Sequence, residues 1–193
     1  MIPVVLASAS PRRAELLQRI GLPFTLQVPD VDETTSSPAE TAVAELSLRK
    51  GKDVAARCPG SLVIAADTLV VCGGEVLGKP KNEGDAFRML RLLSGRRHTV
   101  HTGVSVLRGG ASLTNVETAS VWVRELTGSQ IRAYIATGEP MDKAGSYGIQ
   151  ALGAALVERI EGDFFAVMGL PVCLLSKMLA EFGFDLLGRG EDP

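Results

Sequence analysis

Ile2-Pro3-Val4-Val5-Leu6-Ala7-Ser8-Ala9-Ser10-Pro11-Arg12-Arg13 dictates how the chain begins to fold. Ile2 to Ala7 is an apolar run of strand length. Ser10 is the expected helix N-cap, and Pro11 stands at the first helical position, where proline is favoured. Leu16, Leu17 and Ile20 then recur on one face and Gly21 ends the helix. Strand, tight turn and helix follow one another directly. Outward from there, Phe24 to Val28 alternates as a strand and Asp30 to Thr35 reads as a polar loop. Ser37 and Glu40 have capping-box spacing around Pro38, which predicts a second helix to about Arg57. Leu62 to Ala66 is a continuous apolar run, the pattern of a buried strand, with Asp67-Thr68 at or inside its carboxyl end.

The middle of the chain is rich in hairpin signals. Leu69 to Cys72 and Glu75 to Leu77 flank Gly73-Gly74, and His98 to Leu107 and Leu113 to Arg124 flank Gly109-Gly110. Asn82 caps an expected helix to about Leu93, and Thr127 with Gln130 forms a capping box before another. Glu139 to Gln150 carries glycines, a proline and charges without a period and reads as a long loop. Ala154 to Ile160 and Phe164 to Met168 are expected as a last hairpin, and Pro171 opens a final helix that Gly183 stops. Helices interleaved with strands at both ends, and hairpins between, predict an α/β chain with a mixed sheet flanked by helices.

The 193 residues suit one large domain or two small lobes. Hydrophobic residues make up 46% and charged residues 22%, enough apolar material for a sizeable core. Lys plus Arg number 20 and Asp plus Glu 22. That balance excludes the whole-surface basic field of many duplex-DNA binders, while leaving room for a local cationic cluster. No apolar run approaches the roughly 18 residues that span a bilayer, and Met1 to Leu6 lacks the basic region of a signal peptide. Cys58, Cys72 and Cys173 are odd in number and far apart, which fits a reducing cytoplasm better than a disulfide framework. His98 and His101, the only histidines, fall on opposite faces of a strand.

Four constellations can carry chemistry. Ser8, Ser10, Arg12 and Arg13 surround a helix N-terminus, whose unpaired amides and partial positive charge attract anions. Two arginines there oppose the dipole, which prefers acids, so a phosphate cradle explains them better than a plain Ser cap. Asp67, an acid at the end of a buried strand, needs a partner; it could ligate Mg²⁺, orient a water, or cap a turn. Gly78-Lys79-Pro80-Lys81 restrains a lysine on a loop that is either a phosphate contact or a solvated turn. In the loop from Glu139 to Gln150, Tyr147 offers a stacking face and Gln150 an amide for a base edge. Asp32, Glu33 and Lys50 are weaker, each readable as an ordinary surface charge. Cations, acids, an amide and an aromatic ring together describe a nucleoside triphosphate site.

These residues resemble the Maf family from Val4 to about Phe182. The resemblance rests on Ser8-Ala9-Ser10-Pro11-Arg12-Arg13, Asp32-Glu33, Ala66-Asp67-Thr68, Leu77-Gly78-Lys79-Pro80 and His101-Thr102-Gly103-Val104. Asp142-Lys143-Ala144-Gly145-Ser146-Tyr147-Gly148-Ile149-Gln150 and Gly169-Leu170-Pro171 complete it. It implies an elongated, twisted α/β fold with a central cleft, in which residues 1–188 form one domain of two lobes and residues 189–193 a flexible tail. It also implies a cytoplasmic nucleoside triphosphate pyrophosphatase that releases a monophosphate and pyrophosphate, a pool-sanitising activity. Asp67 matches the catalytic proton acceptor, and Arg12, Thr68 and Gln150 match base-specificity positions. Ser8, Arg13, Glu33, Lys50 and Lys79 match positions for phosphates, metal or catalysis. Glu33 and Asp67 would hold Mg²⁺ or Mn²⁺. The Asp142 to Gln150 form resembles the subgroup acting on dTTP and UTP. Modified purine nucleotides such as 7-methyl-GTP or ITP, and a non-enzymatic regulator of cell division, stand as alternatives. No nucleic acid or membrane partner is expected; a homodimer is. Ala151 stands where glycine is usual, and its methyl is expected to tighten the loop.

Overall fold

The computed structural model describes residues 2–188; the expected tail, residues 189–193, lies outside the described residues. Seven strands are β1 Val4–Ala7, β2 Thr25–Gln27, β3 Leu62–Cys72, β4 Glu75–Leu77, β5 Arg97–Arg108, β6 Ala111–Val123 and β7 Val157–Glu161. Six helices are α1 Pro11–Arg19, α2 Ala39–Arg57, α3 Glu83–Leu93, α4 Gly128–Ile135, α5 Phe164–Met168 and α6 Val172–Glu181. The strands form one mixed sheet in the order β2-β1-β3-β5-β6-β7, with β4 paired to β3. The expected α/β class and mixed sheet are what the chain forms. No described helix is long and apolar enough to cross a membrane.

By internal contacts the chain divides into two compact units. Among the described residues the first comprises 2–67, Thr102–Glu117 and 169–188, the second Thr68–His101 and Thr118–Met168. In the first unit β1 lies parallel between β2 and β3. Such strands are covered on both faces, which is why Leu62 to Ala66 shows no polar alternation. Val5, Ala7, Val63 and Ala65 project from one face and pack with Val54 of α2 and Leu107.

Two glycines let α2 lie close to the sheet. A Cβ on Gly51 would fall 2.3 Å from Leu107 Cδ1, and one on Gly103 would fall 2.2 Å from the Val43 carbonyl oxygen. No real side chain fits at either distance. Gly103 of the His101-Thr102-Gly103-Val104 motif is therefore a packing requirement.

In the second unit the β3–β4 hairpin turns on Gly73 and Gly74, both with positive φ, as a tight turn demands. Asn82 Oδ1 caps α3 by accepting from the Asp85 N–H, and the Thr127–Gln130 capping box of α4 forms in full. α3 packs against α4, and the Arg132 guanidinium lies 5.8 Å from the Phe87 ring centroid.

Four local expectations need correction. Ser10 occupies the N-cap of α1, but its side chain makes no capping bond; Ser8 Oγ accepts from the Ser10 N–H instead, at 3.0 Å. Ser37 does not cap α2. Its hydroxyl donates to Glu45, and Pro38 becomes the N-cap residue. β3 does not pause at Asp67-Thr68 but continues to Cys72. Phe164 to Met168 is helical, because Asp163 Oδ1 accepts from the Phe165 and Ala166 N–H groups and starts a turn that apolar content alone did not reveal.

Candidate active site

β1 ends at Ala7, paired with Ala65, and has no residue left to pair with β3 two positions on. Ser8 therefore leaves the carboxyl end of β1 close to where β3 reaches Asp67. Open parallel sheets present ligand sites at this end of their strands. Ser8 is 2% exposed, and its Oγ also accepts from Arg13 Nη1 at 3.2 Å. Arg13 Nε donates to the Gly169 carbonyl at 2.8 Å, so the second arginine of the first turn is held at both ends of its guanidinium. Burial pushes the Arg13 pKa down; Asp67 and Glu33 oppose that shift, and Arg12 reinforces it. Asp67, Glu33 and Arg12 thus lie within electrostatic reach of Arg13.

Lys50 was the least distinctive cation in the sequence, readable as a helix-surface lysine. The structure buries it. Gly51 seats α2 against β3 and β5, and Lys50 beside it reaches 2.5 Å from Asp67 Oδ1 and 2.9 Å from Glu33 Oε1. The Lys50 and Asp67 side chains are each 9% exposed, whereas that of Glu33 is 63% exposed. Asp67 thereby has the partner that its burial requires. Glu33 sits on a loop shaped by its neighbours: Asp32 Oδ1 accepts from the Thr34 N–H and hydroxyl, and Arg49 Nη1 donates to the Asp32 carbonyl.

The fit to a divalent metal rests on this donor set. Two carboxylates already converge on one cation, the Lys50 ammonium, and Mg²⁺ usually takes one or two carboxylates with the rest of its shell from phosphates and water. Among the described residues no group of three or more His, Cys, Asp or Glu side chains could hold a metal alone. The residues fit a metal that arrives with phosphate oxygens.

The remaining predicted residues belong to the second unit. Thr68 follows Asp67 on β3 and is partly buried. Lys79 is exposed on the bend after β4. The loop carrying it is tied to a second motif, for the Gly145 N–H donates to the Gly78 carbonyl at 3.1 Å. Gly145 itself has φ +70° and packs against Val70. Gln150 is partly buried at the end of that motif.

Tyr147 is not a stacking platform. Its ring is buried, its hydroxyl lies 2.8 Å from His98 Nε2, and the two rings meet edge to face at 5.4 Å. Nor does Ala151 tighten its loop: its φ is −127° and its side chain is exposed. His101 pairs separately, through Nδ1, with Thr118 Oγ1 at 2.9 Å.

Burial lowers the His98 pKa from 6.5 to about 4. The neutral ring contributes stability that is complete above pH 6.5 and is lost as pH falls towards 4. Above 6.5 neither state binds the proton, whereas below it the unfolded chain binds it first. The full loss is about 3 kcal/mol. A His98→Phe variant should lack this component, so its urea stability should fall less than the wild type's between pH 7 and pH 4. Parallel falls would show that His98 does not drive the dependence.

Glu139 is the residue that sequence reading passed over as merely part of a charged loop. Its carboxylate accepts from the Tyr134 hydroxyl at 2.8 Å and from the Leu152 and Gly153 N–H groups at 3.0 Å each. Sequence offers one signal for it, an acid closely followed by glycines whose backbone must be held.

Residues 3–182 match the family model described as Maf-like protein. A dTTP/UTP pyrophosphatase of Moorella thermoacetica is 55% identical over 194 residues, covering 98% of this chain and 100% of its own. Another dTTP/UTP pyrophosphatase, from Symbiobacterium thermophilum, is 49% identical over 193 residues, covering 98% and 99%. Among solved structures, a HAM1 protein from Coxiella burnetii aligns with a TM-score of 0.54 at 17% identity, covering 94% of this chain and 100% of that one. That likeness concerns the fold alone. A family match that runs from the first strand through the last helix, on a chain about half identical to two full-length relatives, places this protein in the Maf-like family.

Proposed function

We propose that this protein hydrolyses dTTP and UTP to the nucleoside monophosphate and pyrophosphate. The observation that carries the chemistry is buried Lys50, held between Asp67 and Glu33, with Arg13 in electrostatic reach. The names of the Moorella and Symbiobacterium relatives support the choice of nucleotide.

In this reading Ser8, Arg12, Arg13, the amides at the start of α1 and Lys79 bind the triphosphate oxygens. Glu33 and Asp67 would hold Mg²⁺ or Mn²⁺, which when bound supplies charge neutralisation to the phosphates. Asp67 accepts the proton of a water whose oxygen bonds to the α-phosphorus. The bond from that phosphorus to the bridging oxygen breaks, and pyrophosphate leaves with the electron pair. Lys50, 2.5 Å from Asp67 Oδ1, orients the carboxylate, and Lys79 offsets the charge of the leaving group. Arg12, Thr68 and Gln150 read the pyrimidine.

Residues 1–188 act as one domain. The free state of Cys58, Cys72 and Cys173 supports a reducing cytoplasm. The near balance of charges supports a free nucleotide as partner over a nucleic acid, and the family resemblance supports a homodimer.

Pyrophosphate release measured across dTTP, UTP, CTP, ATP, GTP, 7-methyl-GTP and ITP, with Mg²⁺ or Mn²⁺, should be fastest for dTTP and UTP. Equal turnover of GTP, ATP and UTP would sink the pyrimidine reading. Nucleotide binding without pyrophosphate release would sink the enzymatic one.

A further inference from the structure

We infer that Glu139 is a positioning residue for base selection, acting through the backbone on either side of Gln150. This rests on the reading that Gln150 contacts the base. The loop around Gln150 contains no regular element: β7 begins only at Val157, and the residues before it form short 3-10 turns. Its backbone must therefore be held by side chains.

Glu139 holds it from both directions. Downstream of Gln150, Glu139 Oε2 accepts from the Leu152 N–H and Oε1 from the Gly153 N–H, each at 3.0 Å. Upstream, the Gly148 N–H donates to the Tyr134 hydroxyl at 3.0 Å, and that hydroxyl donates to Glu139 Oε1 at 2.8 Å. One carboxylate and one phenol thus clamp positions 148, 152 and 153, with Gln150 between them. Carboxylate bonds to backbone amides are charge-assisted and stronger than neutral ones.

The packing leaves little freedom for another arrangement. A Cβ on Gly153 would lie 2.5 Å from both the Gly148 carbonyl and the Tyr134 hydroxyl. The two glycines are thus pressed against each other and against the clamp. Lys143 Nζ donates to the Glu139 carbonyl at 2.6 Å and fixes the base of the acid itself. The Tyr134 hydroxyl stays protonated, because burial pushes its pKa up and the neighbouring acid raises it further. It can therefore donate to Glu139 while accepting from Gly148.

A Glu139→Gln side chain can keep the Tyr134 and Gly153 bonds on its oxygen, but turns an NH₂ donor towards the Leu152 N–H. Selection among bases should suffer while the phosphate chemistry centred on Lys50, Asp67 and Glu33, which the substitution does not touch, is retained. We expect KM for dTTP and UTP to rise about tenfold, kcat to change less than about threefold, and the kcat/KM ratio of UTP over GTP to fall about tenfold. Amide hydrogen exchange at Gly148, Leu152 and Gly153 should speed up by at least about tenfold, with the unfolding midpoint of the whole chain little changed. Tyr134→Phe should move the same quantities in the same direction by less, and it serves if Glu139→Gln does not fold.

A folded Glu139→Gln or Tyr134→Phe protein with unchanged selectivity would overturn the inference, provided Gln150→Ala loses selectivity. If Gln150→Ala also leaves selectivity unchanged, the base-reading role of Gln150 fails instead. The exchange measurement, which needs no substrate, then decides whether Glu139 orders the loop, and unchanged exchange would overturn that as well.

Discussion

Asp67→Asn should lower pyrophosphate release from dTTP by about 10²–10⁴-fold, the range that a positioned general base contributes. The substitution preserves shape and one acceptor oxygen but removes the charge. Two consequences follow from the geometry. A neutral amide is a far weaker proton acceptor and a poorer ligand for a divalent cation. The Lys50 ammonium, 9% exposed and 2.5 Å from Asp67 Oδ1, also loses its buried counter-charge. Breaking a buried pair from one side costs about 3–5 kcal/mol, because the remaining charge stays desolvated. Glu33, 2.9 Å from the same ammonium, remains and should hold the loss to the lower end. A Lys50→Met and Asp67→Asn double variant should regain stability without regaining activity, since no uncompensated charge remains but the acid is still missing. The measurements are dTTP turnover and urea unfolding of the wild type and both variants. Full turnover by Asp67→Asn would refute both the base and the metal-ligand role.

Gly103→Ala should destabilise the protein by roughly 3 kcal/mol or more, as overpacking against an unyielding neighbour does. The added methyl would lie 2.2 Å from the Val43 carbonyl oxygen and 2.4 Å from its carbon. Both atoms are backbone, so no rotamer change relieves the contact, and α2 must shift from β5. Lys50 rides on that helix, so dTTP turnover should fall along with stability. Gly109, by contrast, has nothing within 4 Å of a Cβ position, and only its φ of +55° disfavours alanine there. Gly109→Ala should therefore cost about 1 kcal/mol. A Gly103→Ala protein as stable as the wild type would show that the close approach of α2 to the sheet is not required.

Several elements were readable from local patterns because their causes are local. Asn82 and Thr127–Gln130 mark helix starts through bonds spanning three residues. Gly73-Gly74 marks a hairpin through φ alone. The strand pattern of Leu62 to Ala66 was also right, since a strand buried on both faces needs an unbroken apolar run. Readings failed where another partner outbid the expected one. Ser37 prefers the Glu45 carboxylate, eight residues on, to its own helix end, and the Ser10 side chain makes no capping bond while its N–H donates to Ser8 Oγ.

The candidate site divides in the same way. By itself, the sequence determined the α/β class, the position of an acid in a buried strand and the two arginines at a helix start, because residue type and short-range period set these. The motif resemblance carried the remaining site positions. Only the tertiary structure decided that Lys50 is the partner Asp67 needs, that Tyr147 lies inside and not beside a base, and that Glu139 holds the Gln150 loop. Those pairings join residues 17, 49 and 13 or 14 positions apart. Their partners are chosen by how helices pack on a sheet and by which buried polar groups remain to be satisfied, and neither is encoded in any one stretch of chain.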